Sequence, residues 1–179
     1  MFQTDLVAQC MANDRKAQMK LYDQYCDGMF HIAMRFLGNK DDAEDVVQES
    51  FIKAFQKINQ YKGEVTFGAW LKKIVINKSI DFVRANKINF EELNENVPIV
   101  EDEDWRVADG TTLKIVGRAM EDVPEKYKYV VQLFLMEGYD HSEIAQILNI
   151  TESACRTRLL RGKGYLKQLL ISRNYVTRS

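Results

Sequence analysis

Apolar residues recur along most of this chain at spacings of three and four, the period of one face of an α-helix. Alternating apolar and polar runs, as a half-buried strand would show, are few. Over residues 16–38, Leu21, Tyr25, Phe30, Ala33 and Leu37 keep to one side, and Gly38-Asn39 makes a stop. The same spacing predicts helices over residues 5–12, 41–58 and 66–86. Further on it predicts them over 113–122, 125–137, 142–148 and 152–171, with Pro124 in the first turn of its helix. Only 2 prolines and 9 glycines interrupt 179 residues. An all-α fold is expected, and at 46% hydrophobic the chain has enough apolar surface for one medium core or two small ones.

The pattern fails over residues 91–112, where EELNENVPIVEDEDWRVADGTT has no helical period, holds a proline and a glycine, and is dominated by carboxylates. A flexible linker is expected there, kept extended by like-charge repulsion, with Ile99 and Trp105 able to dock on a domain or a partner. It would separate a domain over residues 1–90 from another over 113–179. Charge follows the same division: the three segments carry net charges of +2, −7 and +4, which the whole-chain value of −1 conceals. From Thr151 to Ser179 seven basic residues (Arg156, Arg158, Arg161, Lys163, Lys167, Arg173 and Arg178) stand against one acid, Glu152. That excess points to an anionic partner such as a phosphate backbone.

Cys10, Cys26 and Cys155 are an odd, widely spaced set without a C-x-x-C pair, which argues against a disulfide framework or a zinc ribbon. The first five residues, Met1 to Asp5, have neither the basic start nor the apolar stretch of a signal peptide, and no apolar run approaches the roughly 18 residues of a membrane span. A cytoplasmic protein without membrane insertion is expected.

Between Tyr139 and Leu166 the text YDHSEIAQILNITESACRTRLLRGKGYL has the pattern of two short helices joined by a tight turn. Ile144, Ala145 and Leu148 give the first an apolar stripe, and Cys155, Leu159 and Leu166 give the second one. Asn149 tolerates the left-handed backbone of such a turn, and Thr151 suits the N-cap of the following helix. With Cys155 and Leu159 facing inward, Ser153, Arg156, Thr157 and Arg161 project outward at one-turn spacing, a face able to enter a DNA major groove, with Arg158 and Lys163 suited to phosphates. A solvated basic face on an ordinary helical hairpin fits the same pattern. Gly162 and Gly164 interrupt the helix, each at about 0.5–1 kcal/mol relative to alanine, so fraying is expected after Arg161.

In the first half, the helix that begins Asp41-Asp42 buries Ala43, Val47 and Phe51 at i, i+4 and i+8. Its other face gathers Glu44, Asp45, Gln48 and Glu49 into a carboxylate-and-amide patch suited to a basic protein partner. A carboxylate metal site and a plainly solvated face are the rivals, but His31 and His141 are isolated and no second carboxylate helix is evident, so no metal is expected. Next comes a polar loop, Tyr61-Lys62-Gly63-Glu64-Val65-Thr66, flanked by aromatics and lysines, the combination that single-stranded nucleic acid binding uses. Phe67, Trp70, Leu71, Ile74 and Val75 fit a core-facing stripe, which leaves Tyr61 and the loop as the candidates. Lys73, Asn77, Asp81 and Arg84 fall on one polar face of the following helix, able to lie along a DNA strand, although Asp81 and Arg84 suit each other as a surface pair.

Three stretches in this order resemble the extracytoplasmic-function (ECF) sigma factors of bacterial RNA polymerase, across nearly the whole chain. DAEDVVQESFIKAF resembles region 2.2, F-x-x-W-L-x-x-I-x-x-N-x-x-x-D-x-x-R resembles regions 2.3 to 2.4, and GYDHSEIAQILNITESACRTRLLRGK resembles region 4. The resemblance implies a transcription initiation factor with no reaction and no cofactor of its own. Its partners would be core RNA polymerase, through the β′ clamp helices and the β flap, promoter DNA, and an anti-sigma protein that covers the polymerase-binding faces. By resemblance Asp45, Gln48 and Glu49, with Glu44 beside them, meet the β′ clamp helices. The loop Tyr61 to Thr66 holds a flipped minus-ten base, with Lys73, Asn77 and Arg84 on the opening strand. Arg156, Thr157 and Arg161 read the minus-thirty-five element as duplex, and the acidic linker runs through the polymerase channel. Asn149 where many such turns have Gly, Cys155 in place of an aliphatic residue, and Arg161-Gly162-Lys163 in place of Arg-Ala-Arg depart from the family pattern. Two other readings are a dimeric helix-turn-helix regulator that binds operators without polymerase, and a metal-dependent nuclease using the carboxylates between Asp41 and Glu49.

Overall fold

The structure, a computed structural model, describes residues 3–86, 106–107, 113–173 and 176–177. The segment read as a linker lies outside the described residues except at Arg106 and Val107, so Ile99 and Trp105 do too, as does Arg178. The all-α expectation holds: eight α-helices and one 3-10 turn make up nearly all of what is described, in two compact units, Met1–Ile88 and Asn89–Ser179.

In the first unit, α1 (Gln3–Met11) leads through a left-handed Asn13 into α2 (Arg15–Leu37), and α3 (Lys40–Gln56), the 3-10 turn Ile58–Gln60 and α4 (Phe67–Asn86) follow. Each junction carries its own chemistry. The Asp14 carboxylate accepts from the backbone N–H of Lys16 at 2.8 Å, capping α2. Gly38 closes that helix at φ 69°, and its N–H donates to the Met34 carbonyl. Asn39 then caps α3 by accepting from the N–H groups of Asp41 and Asp42. Helices α2, α3 and α4 pack on one another around Leu21, Phe67, Leu71, Ile76 and Ile80, all fully buried. Two buried hydroxyls inside this core, Ser50 and Ser79, donate back to the Val46 and Val75 carbonyls of their own helices, so neither is left unsatisfied.

The apolar stripe of α2 is rotated from the expected one. Leu21 and Ala33 are buried as predicted, but their companions are Ala17, Met29, Ile32 and Phe36, while Tyr25, Phe30 and Leu37 are half-exposed. Two adjacent stripes satisfy a 3.6-residue period equally well over a long helix, and tertiary packing decides between them. On α4 likewise Ile76 is buried and Ile74 is half-exposed.

The second unit contains α5 (Leu113–Glu121), α6 (Glu125–Leu135), α7 (His141–Leu148) and α8 (Glu152–Ser172). A two-residue antiparallel pairing of β1 (Arg106–Val107) with β2 (Val176–Thr177) adds to the helices. Pro124 stands at the N-cap of α6, one place before the first turn. Helix α8 runs unbroken for 21 residues, against the expectation that it frays after Arg161. The reason is tertiary: Gly162 is buried, and a Cβ there would lie 2.3 Å from Val131 Cγ2 and 3.1 Å from Tyr127 Cβ, so the missing side chain lets α8 approach α6 closely. Burial of Leu166 and Leu170 beyond it holds the last turns in place. The Arg173 guanidinium then pairs with Asp122 just after α5.

Candidate functional site

The candidate residues form three groups, one on α3, one on the loop and α4, and one on α8. On α3, Ala43, Val46, Val47, Ser50, Phe51 and Ala54 are buried, and Glu44, Asp45, Gln48 and Glu49 are all exposed on the opposite side. Glu44 pairs with Lys40 at 3.4 Å along the helix, and Glu49 accepts from Lys78 of α4, a contact between elements far apart in sequence. Ile52 follows Gln48 by four residues on this polar face and is 59% exposed. It was not among the residues singled out, though an apolar side chain in an otherwise polar stripe is a signal that periodicity carries.

The loop before α4 is closed by its own contacts. Tyr61 Oη donates to the Val65 carbonyl at 2.6 Å, Gly63 takes φ 76°, and the Tyr61 ring packs on Phe67 and Trp70 at centroid distances of 5.9 and 5.5 Å. Tyr61 is thus half-buried, held by its ring and by its hydroxyl, while Lys62, Gly63 and Glu64 are exposed. Phe67 and Leu71 belong to the core, as the stripe predicted. A cavity of about 650 Å³ lies between this loop and α1, with Val7, Ala8 and Met11 on the helix side. Nothing in the sequence pattern of α1 announced it. Along α4, Lys73 is exposed, Asn77 and Arg84 are half-exposed, and Arg84 pairs with Asp81 at 3.7 Å.

On α7 and α8 the helix-turn-helix geometry is complete. Asp140 and Glu143 form a reciprocal capping box at the start of α7, the carboxylate of each accepting from the backbone N–H of the other. Asn149 turns the chain at φ 52° and ψ 51°, and Thr151 Oγ1 accepts from Ala154 N–H to start α8. Ile144 and Ala145 are buried with Ile147, while Leu148 is half-buried; Cys155, Leu159 and Leu166 are buried on α8. Burial pushes the Cys155 thiol upward, against the pull of Arg156, so it stays protonated and acts as a small apolar side chain beside His141 Nδ1 at 3.7 Å. Ser153, Arg156 and Thr157 are exposed, and their contacts are local: Arg156 pairs with Glu152 at 3.5 Å, and Thr157 Oγ1 donates to the Ser153 carbonyl. Arg158, Arg161 and Lys163 are half-buried, with the Lys163 ammonium 5.7 Å from the Phe134 ring centroid; Arg161, expected to project outward with Ser153, Arg156 and Thr157, instead has its Nε buried.

Among the described residues no group of three or more His, Cys, Asp or Glu side chains stands ready to hold a metal ion, and no helix is long and apolar enough to cross a membrane.

Residues 21–88 match the family described as Sigma-70 region 2, and residues 113–166 match Sigma-70, region 4. Both matches fall on the helices just described, in the order of a sigma-70-type transcription factor. The chain is 30% identical over 177 residues to the ECF RNA polymerase sigma factor SigW of Bacillus subtilis, an alignment spanning 92% of this chain and 94% of that protein. It is 28% identical to the ECF RNA polymerase sigma-E factor of Haemophilus influenzae, covering 90% of this chain and 92% of that one. The fold is shared with CnrH, solved in complex with the cytosolic domain of CnrY, at a TM-score of 0.56 and 22% identity over 95% of this chain and 97% of CnrH. It is shared also with RpoE of Bartonella quintana, solved with the anti-sigma factor NepR, at a TM-score of 0.55 and 18% identity over 85% of this chain and 95% of that chain. The chain belongs to the ECF sigma-factor family. It is a transcription initiation factor that directs RNA polymerase to promoters, and the reading as a polymerase-independent operator-binding regulator is not favoured.

Proposed function

We propose that three faces of this sigma factor divide the work of initiation. Glu44, Asp45, Gln48 and Glu49 on α3 dock on the basic β′ clamp helices of core polymerase, an electrostatic match that favours encounter and register. The loop Tyr61, Lys62, Gly63 and Glu64 receives a base from the minus-ten element, and Lys73, Asn77 and Arg84 follow the opening strand. Extruding a base costs a few kcal/mol, which stacking and edge hydrogen bonds offset, so opening needs neither ATP nor a catalytic residue in this chain. Ser153, Arg156, Thr157, Arg158, Arg161 and Lys163 lie along α8 as a reader of the minus-thirty-five element, through base edges in the major groove and the phosphates beside them. The second unit also meets the β flap.

The observation that best supports this division is the exposure of Glu44, Asp45, Gln48 and Glu49 on α3, and of Ser153, Arg156 and Thr157 on α8, each opposite a buried stripe of the same helix. By analogy with the two related folds solved with CnrY and NepR, an anti-sigma protein holds the factor off polymerase until a signal releases it. The factor works in the cytoplasm, where its polymerase is. Co-purification of the tagged chain with core polymerase, then run-off transcription from a fragmented genomic library, tests the reading. Joining the core and starting at a shared pair of elements is the expected result. Gln48→Ala is expected to weaken core binding with an unchanged thermal unfolding curve, and retention of full core affinity in that variant would remove α3 as the docking face.

A further inference from the structure

The cavity beside the loop has a second wall that the three faces above do not include. We propose that Ala8 and Met11 of α1 form the apolar wall against which the extruded minus-ten base packs, and that they help to set which base is accepted. The inference rests on the assignment of the loop to that base.

Helix α1 is anchored by Val7 and Cys10, only 5% and 2% exposed, so its position is fixed by the core. Ala8 and Met11, three residues apart and therefore neighbours on one helix face, stay exposed and line the cavity. From the loop side Val65, 53% exposed, lines the same space, with Lys62 and Glu64 alongside. Exposed apolar side chains on both sides of a cavity, with polar groups confined to one of them, suit a flat heteroaromatic ring. Its faces contact carbon and a polarizable thioether, and its edge meets the loop's hydrogen-bonding groups. The loop wall is stiff, since Tyr61 is held at both its ring and its hydroxyl. The α1 wall offers a small residue and a flexible one, so the size of ring admitted is set there.

The test uses holoenzyme reconstituted with the full chain on a pre-opened promoter duplex from the run-off selection, with an abasic sugar scanned through the minus-ten strand. Ala8→Phe fills the space from an exposed position. It is expected to reduce retention on the base-bearing duplex about tenfold, the size of one stacking contact, and to match the unaltered factor on the duplex that is abasic at the read position. Met11→Ala, which enlarges the space, is expected to shift the preference among the four bases at that position toward purines. Equal loss by Ala8→Phe on both duplexes, or no loss on either, overturns the inference. Should Lys62→Ala or Glu64→Ala change base preference while neither α1 variant does, the loop assignment stands and the α1 wall falls. An unaltered factor indifferent to every abasic position overturns both.

Discussion

Helices α4 and α8 are nearly equal in length, 20 and 21 residues, and both carry candidate DNA contacts, yet they hold their polar side chains by different means. On α4 seven residues from Phe67 to Val83 are buried between two neighbouring helices, and Lys78 reaches across to Glu49 on α3, while Arg84 pairs with Asp81 on its own helix. On the first turns of α8, Arg156 and Thr157 contact only their own helix in the bonds described, to Glu152 and Ser153. A surface fixed by tertiary contacts is pre-organised for a melted strand, which brings little order of its own. A surface held by local contacts can re-pair with duplex edges at small cost, because an exposed helix ion pair is worth only about 0.3–0.5 kcal/mol. Substitutions at Arg156 and Thr157 are therefore expected to change DNA reading while leaving the fold intact.

The sharpest way to break that contrast is at the glycines where each helix meets a neighbour. A Cβ on Gly162 would strike Val131 Cγ2 at 2.3 Å, with the Tyr127 backbone oxygen at 3.3 Å, so neither helix can yield without moving. Gly162→Ala is expected to cost about 1–3 kcal/mol, read as a lower denaturant midpoint of the second unit's transition. On Gly68 the nearest atom is Tyr25 Cε1 at 2.8 Å, part of a half-exposed ring that can swing aside. There the ring, not the backbone, takes up the displacement, and Gly68→Ala is expected to leave the midpoint nearly unchanged. Equal losses at the two positions would show that the α6–α8 contact is no tighter than the Tyr25 contact.

An effect on binding rather than on folding distinguishes the chemistry of the two helices. Arg156→Ala is expected to lose about 1–3 kcal/mol of discrimination at one base of the minus-thirty-five element, with the fold intact. Lys73→Ala, which removes a charge from a strand-following face, is expected to weaken open-complex formation evenly across promoters and to reduce the slope against log salt by about 1. Binding titrations over a panel of single-base promoter variants at several salt concentrations measure both. An even loss from Arg156→Ala would move that residue from base reading to phosphate contact.

The elements themselves were readable because the signals that bound them are local. Asp14, Gly38, Asn39, Asn149 and Thr151 each satisfy or reverse backbone within a few residues, and such chemistry leaves its mark in a short window of sequence. What was misread or missed depended on distant parts of the chain. The buried stripe of α2 is chosen by α3 and α4, the continuity of α8 past Gly162 is chosen by Val131, and the Lys78–Glu49 pair joins residues that no periodicity relates. The candidate site divides the same way. Its polar faces follow from helical spacing, whereas their assignment to polymerase and promoter came from the resemblance, and the α1 side of the cavity exists only once the chain is folded.

A small expected effect on stability sharpens the comparison most, because it asks whether Glu49 is a docking group or a brace. The side chains of Lys78 and Glu49 are 29% and 61% exposed, so their ion pair is expected to contribute no more than about 1 kcal/mol to the fold. Glu49→Gln and Lys78→Met each break it, and each is expected to lower stability by the same small amount. Their effects on core polymerase should differ. Glu49→Gln removes the charge offered to the clamp and is expected to weaken core binding, while Lys78→Met leaves that carboxylate unpaired on the surface and is expected to keep or improve it. Affinity measured for both single variants and the double variant separates the cases, since coupling between the two positions appears as non-additivity. If both single variants lose core affinity equally, the carboxylate serves polymerase only by bracing α3 against α4, and the docking face must then be drawn from Asp45, Gln48 and the exposed Ile52 alone.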